Sequence, residues 1–327
     1  DDMGLGKTLQ VLAVLLAARQ EGKKGTALVV SPASLVYNWG EEIRAFTPQL
    51  SSCFITGSQE ERRERLSRYK EYDVIITSYD LLKRDIENYE DKEFDYQIID
   101  EAQYIKNHTT AAAKAVKAVK SRTRYALTGT PIENRLSELW SIFACLMPGM
   151  RYGYEVFRSD FEAPIVREED QGALERLQRM TAPFILRRMK ENVLKDLPEK
   201  LEENRYVKFE SGQQKLYDGQ VVHMKQRIAS QDAQEFQRNK IQILAELMKL
   251  RQICCDPGLC FENYSGESAK LEACVDLVKS AVEGGHKILL FSQFTSTLDL
   301  IAKRLEEEQI SFYTITGATP KEKRLQL

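Results

Sequence analysis

Near the start of the chain, Gly4-Leu5-Gly6-Lys7-Thr8 stands directly before an apolar stretch, Thr8 to Arg19, with the composition of a helix. Two closely spaced glycines let the backbone curl so that amide groups converge on one point, and a helix N-terminus adds positive potential there. Such a cradle takes a phosphate. Gly4 and Gly6 shape it, Lys7 reaches the β- and γ-phosphates, and the Thr8 hydroxyl faces a magnesium ion. The full Gly-x4-Gly-Lys-Thr spacing is not met, because Asp1 stands where the first glycine belongs. Taken alone, the segment also reads as a glycine-rich turn before a helix.

A second constellation narrows the choice. Gln97-Ile98-Ile99-Asp100-Glu101 is an apolar run ending in two acids. A buried strand of this kind delivers Asp100 to the magnesium side of a bound triphosphate, where Glu101 can orient and deprotonate the attacking water. An acidic strand end that merely caps the next helix is the alternative, and it does not explain the preceding phosphate loop.

Both constellations need a scaffold that brings distant segments together. Apolar, β-branched runs at 26–30, 73–77, 96–100 and 124–128 alternate with helix-like stretches, among them 60–70. That alternation predicts an α/β domain built on a parallel sheet with helices on both faces. From Ser137 to about Glu191 the pattern turns helical and rich in Leu, Met and Phe, broken at Pro148-Gly149, and 213–253 reads as two long helices. Strand–helix alternation resumes at 287–291, 296–307 and 311–315. The expected organisation is a first lobe over 1–186, a linker over 187–204 and a second lobe over 205–327 that opens with a helical protrusion.

These residues carry a family resemblance. Asp2-Met3-Gly4-Leu5-Gly6-Lys7-Thr8-Leu9-Gln10, Asp100-Glu101-Ala102-Gln103-Tyr104-Ile105-Lys106-Asn107 and Leu127-Thr128-Gly129-Thr130-Pro131-Ile132-Glu133-Asn134 resemble motifs I, II and III of superfamily 2 motors. The version is that of SWI/SNF-type double-stranded-DNA translocases. Phe184 to Arg188, Leu250 to Cys254, Ser268 to Leu271 and Lys287 to Phe294 continue the likeness in order. The Asp-Glu-Ala-Gln form of motif II resembles the bacterial branch more than the eukaryotic remodellers.

The resemblance implies two RecA-like lobes of the P-loop NTPase kind, the second one partial, with ATP and magnesium as cofactors. It implies that Lys7 and Thr8 hold phosphate and magnesium, Asp100 the magnesium, and Glu101 the water. Gln103 and Thr128-Gly129-Thr130 are expected to couple the nucleotide state to lobe movement. Ser31-Pro32 and Thr77-Ser78-Tyr79 occupy the places of motifs Ia and Ib, and Ser292-Gln293 that of motif IV, where sequence-independent contacts to duplex DNA are expected. Ordinary loop capping is the other reading of those small hydroxyls. The implied function is an ATP-dependent translocase or remodeller that displaces DNA-bound proteins, with a strand-separating helicase and a non-hydrolysing nucleotide-binding scaffold as rivals.

Composition bounds the rest. Lys+Arg 47 against Asp+Glu 49 gives a formal charge of −2 in 327 residues, which excludes a general polyanion coat but not a local basic cleft. The clearest basic stretch, Lys114, Lys117, Lys120, Arg122 and Arg124, reads as a solvated helix face before it reads as a DNA track. Arg187 and Arg188 lie near the expected linker, where they bridge lobes or pair with nearby acids. The longest apolar run, Val11 to Ala18, is far short of the roughly 18–20 residues a membrane span needs. Six cysteines without zinc spacing read as reduced, mostly buried thiols. The expected setting is the bacterial cytoplasm at the nucleoid, or the nucleus in a eukaryote. Both ends read as cut within a longer protein. Second-lobe arginines of motifs V and VI are not reached, so the expectation is that this stretch alone hydrolyses ATP poorly.

Overall fold

The computed structural model describes residues 1–23, 25–129, 136–147, 153–196, 198, 200–230, 235, 238–320 and 323–324. They fall into two compact units, 1–199 and 200–327.

The first unit is built on the runs of β-branched residues. Strands β1 (Ala27–Ser31), β2 (Ser52–Phe54), β3 (Val74–Ser78), β4 (Glu93–Ile99) and β5 (Lys120–Ala126) form a five-stranded sheet in the order β2-β3-β1-β4-β5. Every pairing is parallel, and Val29 faces Ile76 on one side and Ile98 on the other. Parallel strands need crossovers, and helices α1 (Lys7–Gln20), α2 (Val36–Phe46), α3 (Gln59–Ser67), α4 (Tyr79–Arg84) and α5 (Ala111–Ala118) cover both faces. Side chains alternate across the sheet. Ala27, Val29, Ile76 and Ile98 pack with Leu12 and Leu15 of α1 and with Trp39 and Ile43 of α2. Leu28, Val30, Ile75 and Ile99 pack with Leu82 of α4 and Val116 of α5 on the opposite face.

The last stretch of the unit is helical. It holds α6 (Leu136–Leu146), short helices α7 (Tyr154–Phe157) and α8 (Ala163–Arg167) joined by a π-turn, α9 (Gln171–Thr181) and α10 (Lys190–Val193). Phe157, Phe161 and Leu177 form its own small core, with Trp140 packed against it. Beneath α3, the buried Arg62 makes a bidentate pair with Asp85 (Nε–Oδ2 2.5 Å, Nη2–Oδ1 2.8 Å) and also donates to the Gly57 carbonyl.

Three sequence expectations change in the first unit. Strand β2 was not foreseen, because Ser52-Cys53-Phe54 is a three-residue edge strand without a β-branched run. The basic stretch is not one helix face. Helix α5 ends at Ala118 and β5 begins at Lys120, so Lys120, Arg122 and Arg124 belong to an edge strand, a position where charged side chains discourage further pairing. Lys120 donates to the Glu90 carbonyl at 2.6 Å and Arg122 pairs with Asp95 at 3.4 Å. Arg124 donates to the carbonyls of Cys145 and Val119 at 2.5 and 2.6 Å. The third change concerns the linker expected over 187–204. Its first residues belong to the first unit, because the Asp2 amide donates to the Arg188 carbonyl at 3.1 Å and the Lys190 amide to the Asp2 carboxylate at 2.9 Å.

The second unit contains α11 (Ser211–Ala229), α12 (Lys240–Cys255), α13 (Ala269–Glu283) and α14 (Thr295–Glu307). Gln213 ties α11 to α12 by donating to the Ile253 carbonyl at 2.8 Å, and Val278, Ile301 and Leu305 knit α13 to α14. The strands expected at 287–291 and 311–315 are not found. Among the described residues neither segment joins a ladder, and Leu289, Phe291 and Tyr313 are 85%, 88% and 79% exposed. A parallel strand is held by neighbours on both edges and layers on both faces. Among the described residues these segments have no edge partner, and only Leu290 of 287–291 packs on the core between α13 and α14.

Candidate nucleotide site

The site lies where the C-terminal ends of β1, β4 and β5 meet the N-terminus of α1, the position at which open parallel sheets take ligands. Gly4 (φ 83°) and Gly6 (φ 69°) both sit in the left-handed region that lets the loop before α1 curl. Gln10, on the first turn of α1, donates back to the Leu5 and Gly6 carbonyls at 3.1 and 3.3 Å and so fixes that curl. Lys7 Nζ bridges the carbonyls of Asp1 and Asp2 at 3.1 Å each.

Asp100 follows the last residue of β4 and is buried. Its Oδ2 accepts from the Trp39 indole at 2.8 Å and its Oδ1 from the Glu101 amide at 3.0 Å. Its carbonyl accepts from the Tyr79 hydroxyl at 2.6 Å. Burial pushes the Asp100 carboxyl up from its ordinary range, opposed by the Trp39 hydrogen bond and by nearby Lys7. Glu101 takes the left-handed conformation (φ 50°), unusual for a non-glycine residue. Gln103 Nε2 donates to Glu101 Oε2 at 2.7 Å, and Thr128 Oγ1 donates to Gln103 Oε1 at 2.9 Å. A continuous hydrogen-bonded line thus runs from Glu101 through Gln103 to Thr128. Next to it, a Cβ on Gly129 would stand 3.2 Å from Met3 Cγ, so the segment that follows β5 packs directly on the loop before α1.

The structure therefore brings together Gly4, Gly6, Lys7, Thr8, Asp100, Glu101, Gln103, Thr128 and Gly129. Thr130 lies outside the described residues, as do Pro131 to Asn134 and the Pro148-Gly149 break. The side chains expected at motifs Ia and Ib are placed differently. Ser31, Pro32, Thr77, Ser78 and Tyr79 are all buried. The Ser31 hydroxyl donates to the Pro32 carbonyl, Thr77 to the Ile55 carbonyl and Tyr79 to that of Asp100, while Ser78 caps α4 by accepting from the Leu81 amide. These hydroxyls serve the fold, because at the ends of central strands they meet unpaired backbone groups before they meet solvent. In the second unit Ser292 bonds with Phe294, and the exposed Gln293 accepts from Arg251.

Four contributors were not legible as site residues. Trp39 and Glu42 of α2 read as ordinary core and surface positions, yet Trp39 holds Asp100 and Glu42 stands beside Thr8 and Asp100. Burial raises the Glu42 carboxyl above its ordinary range, and the Asp100 charge adds to that. Asp1 and Arg188 form an ion pair in which the Arg188 amide also donates to Asp1 Oδ1 at 2.9 Å and its guanidinium reaches Gln10 Oε1 at 2.5 Å. The arginines near the expected linker were visible in the sequence, but the partner of Arg188, nearly the whole first unit away, was not.

The donor set suits a hard divalent cation. The Thr8 hydroxyl and the Asp100 carboxylate offer hard oxygen donors, and Asp100 is a buried acid whose charge a cation would compensate. Among the described residues no group of three or more His, Cys, Asp or Glu side chains is arranged to hold a metal without help. Phosphate oxygens and water, the usual partners of magnesium, would supply the other positions.

Comparison with known proteins agrees with this geometry. Residues 1–259 match the profile of the SNF2-related domain. The chain is 36% identical over 97% of its length to an uncharacterized ATP-dependent helicase of Mycoplasma genitalium, of which it covers 30%. It is 33% identical over 99% of its length to the putative ATP-dependent helicase/translocase YwqA of Bacillus subtilis, covering 36% of that protein. Among solved structures, the Sulfolobus solfataricus SWI2/SNF2 ATPase core in complex with double-stranded DNA is similar at a TM-score of 0.56 and 38% identity. That match covers 94% of this chain and 65% of the other. The chain thus spans about a third of the length of these curated relatives.

Proposed function

This chain belongs to the SNF2-related domain family, and on that premise we propose that it is the nucleotide-handling part of an ATP-dependent motor acting on duplex DNA. The observation that carries the reading is the line Glu101–Gln103–Thr128, which joins the residue suited to activating water to the segment beside the nucleotide loop.

The loop amides at the N-terminus of α1 and the Lys7 ammonium would bind the β- and γ-phosphates. Thr8 and Asp100 would hold a magnesium ion, which when bound neutralises phosphate charge and draws electron density from the leaving oxygens. Glu101 would orient a water toward the γ-phosphorus and accept its proton. Gln103, bonded to Glu101 at one end and Thr128 at the other, would register the change when that proton arrives. Gly129 packs on the loop before α1, so displacement of the loop would be passed to the segment that follows β5.

Duplex DNA is the proposed partner, supported by the DNA-bound state of the Sulfolobus core; proteins seated on that DNA are the proposed cargo. The setting would be whichever compartment holds the chromosome. Motif Ia and Ib contacts would run through backbone groups and rim positions, because the side chains of Ser31, Thr77, Ser78 and Tyr79 are committed internally. The deciding experiment compares displacement of a third strand from a triplex with unwinding of a forked duplex, each with ATP, by the protein carrying this chain. Triplex displacement without unwinding is the expected result. Efficient unwinding would make it a strand-separating helicase, and neither activity would leave only a nucleotide-binding scaffold.

A further inference from the structure

Helix α2 packs against the sheet through Val36, Trp39, Gly40 and Ile43, as an amphipathic core helix should. Two features exceed that task. Trp39 is 1% exposed, and its only polar atom is spent on Asp100 Oδ2 at 2.8 Å. Glu42, three residues on and therefore on the same helix face, accepts from Asn38 Nδ2 (3.3 Å) and stands beside Thr8 and Asp100. A phenylalanine or leucine would fill the space of Trp39 without aiming an N–H at a carboxylate. A neutral residue at 42 would avoid crowding a third acid against Asp100.

The hydrogen bonds have a common consequence. Asp100 receives one N–H on each oxygen, from Trp39 and from the Glu101 amide, so the plane of the carboxylate is fixed while each oxygen keeps a lone pair. An indole N–H only donates, so it favours the ionised carboxylate. Thr8 has one hydroxyl proton, and giving it to the neighbouring Glu42 would leave the oxygen's lone pairs for a cation. One helix face thus fixes Asp100 through Trp39 and places Glu42 beside Thr8; Asp100 and Thr8 are the two side chains that the nucleotide reading assigns to magnesium.

We propose that Trp39 and Glu42 are positioning residues for the magnesium–nucleotide complex, Trp39 acting through Asp100 and Glu42 through Thr8. The proposal deepens the nucleotide reading above and rests on it. Outer partners of this kind orient ligands and tune affinity by roughly 10- to 100-fold in characterised metal sites.

Titration calorimetry of ADP into the 327-residue chain, once with magnesium and once with EDTA, separates the roles. For wild type, ADP is expected to bind more tightly with magnesium, and the ratio of the two dissociation constants is the quantity read. Trp39→Phe is expected to cut that ratio by about 10-fold while the value in EDTA stays within about 2-fold. Glu42→Ala is expected to cut it by about 3-fold, and Glu42→Gln, which still offers a carbonyl oxygen to Thr8, to restore most of the loss. A folded Trp39→Phe chain with the wild-type ratio, or with equal losses in magnesium and EDTA, overturns the proposal. Should Trp39→Phe fail to melt cooperatively, the Glu42 pair decides, since an unchanged ratio in Glu42→Ala overturns it equally. Wild type that binds no ADP under either condition overturns the nucleotide reading itself, a different outcome from a wild-type ratio that the variants leave intact.

Discussion

Strand β1 and the segment 287–291 make an instructive pair. Ala27-Leu28-Val29-Val30 and Ile288-Leu289-Leu290-Phe291 are equally apolar, and in sequence they read alike. In the first unit the run is paired on both edges, and every residue of it is buried. In the second unit the run joins no ladder among the described residues, and Leu289 and Phe291 stand open to solvent. Apolarity therefore creates a demand for burial but does not meet it. What separates the units is the supply of edge partners and of helices on both faces, since in the second unit only Leu290 of the run packs on a helical core.

The contrast can be tested where it is largest. Arg62 and Asp85 are each 4% exposed and bidentate, whereas Arg304 and Glu272 in the second unit are 30% and 39% exposed. Removing one partner of a buried pair leaves an uncompensated charge, so Arg62→Ala is expected to cost about 3–5 kcal/mol in urea unfolding of the first unit. Arg304→Ala should cost less than about 1 kcal/mol. Equal costs would erase the distinction between the units.

Truncation of the two apolar runs gives the next largest difference. Leu28→Ala removes a fully buried side chain and is expected to destabilise by about 2–5 kcal/mol, while Leu289→Ala should stay within about 0.5 kcal/mol. A large cost at Leu289 would show that 287–291 is buried in solution.

The mildest test is chemical. Cys145, in the first unit, is 3% exposed, and burial pushes its thiol up to about 11. Only about one part in a thousand is then thiolate at pH 8, so it should resist a disulfide reagent until the protein unfolds. Cys254, Cys255, Cys260 and Cys274 in the second unit are partly exposed and should react in the native state, as should Cys53 at the sheet edge. Native labelling of Cys145 would mean that the first core opens readily.

Legibility in the sequence followed locality. The central strands and α1 could be read because burial on both faces writes a continuous apolar run, and the phosphate loop because glycines, lysine and threonine must be adjacent to do that chemistry. Asp100 and Glu101 could be read because a buried strand ending in two acids has few other uses. Trp39 could not, since a tryptophan on an amphipathic helix looks the same whether or not its N–H has a target. The Asp1–Arg188 pair and the Gln103–Thr128 bond also escaped, because each joins residues that only the folded sheet makes neighbours. Ser31, Thr77 and Ser78 had the residue types expected at a nucleic-acid edge, but the same small hydroxyls suit capping, and the structure uses them that way.

The central claim is that the first unit holds the hydrolytic residues and that Glu101 acts on water rather than on nucleotide. Glu101→Gln keeps size and the bond to Gln103 while removing the base, so it should leave ATP affinity within about 2-fold and lower turnover by about 100-fold or more. Measured side by side in the protein carrying this chain, with magnesium and duplex DNA present, that split is the predicted result. Unchanged turnover, or turnover and affinity falling together, would contradict the account.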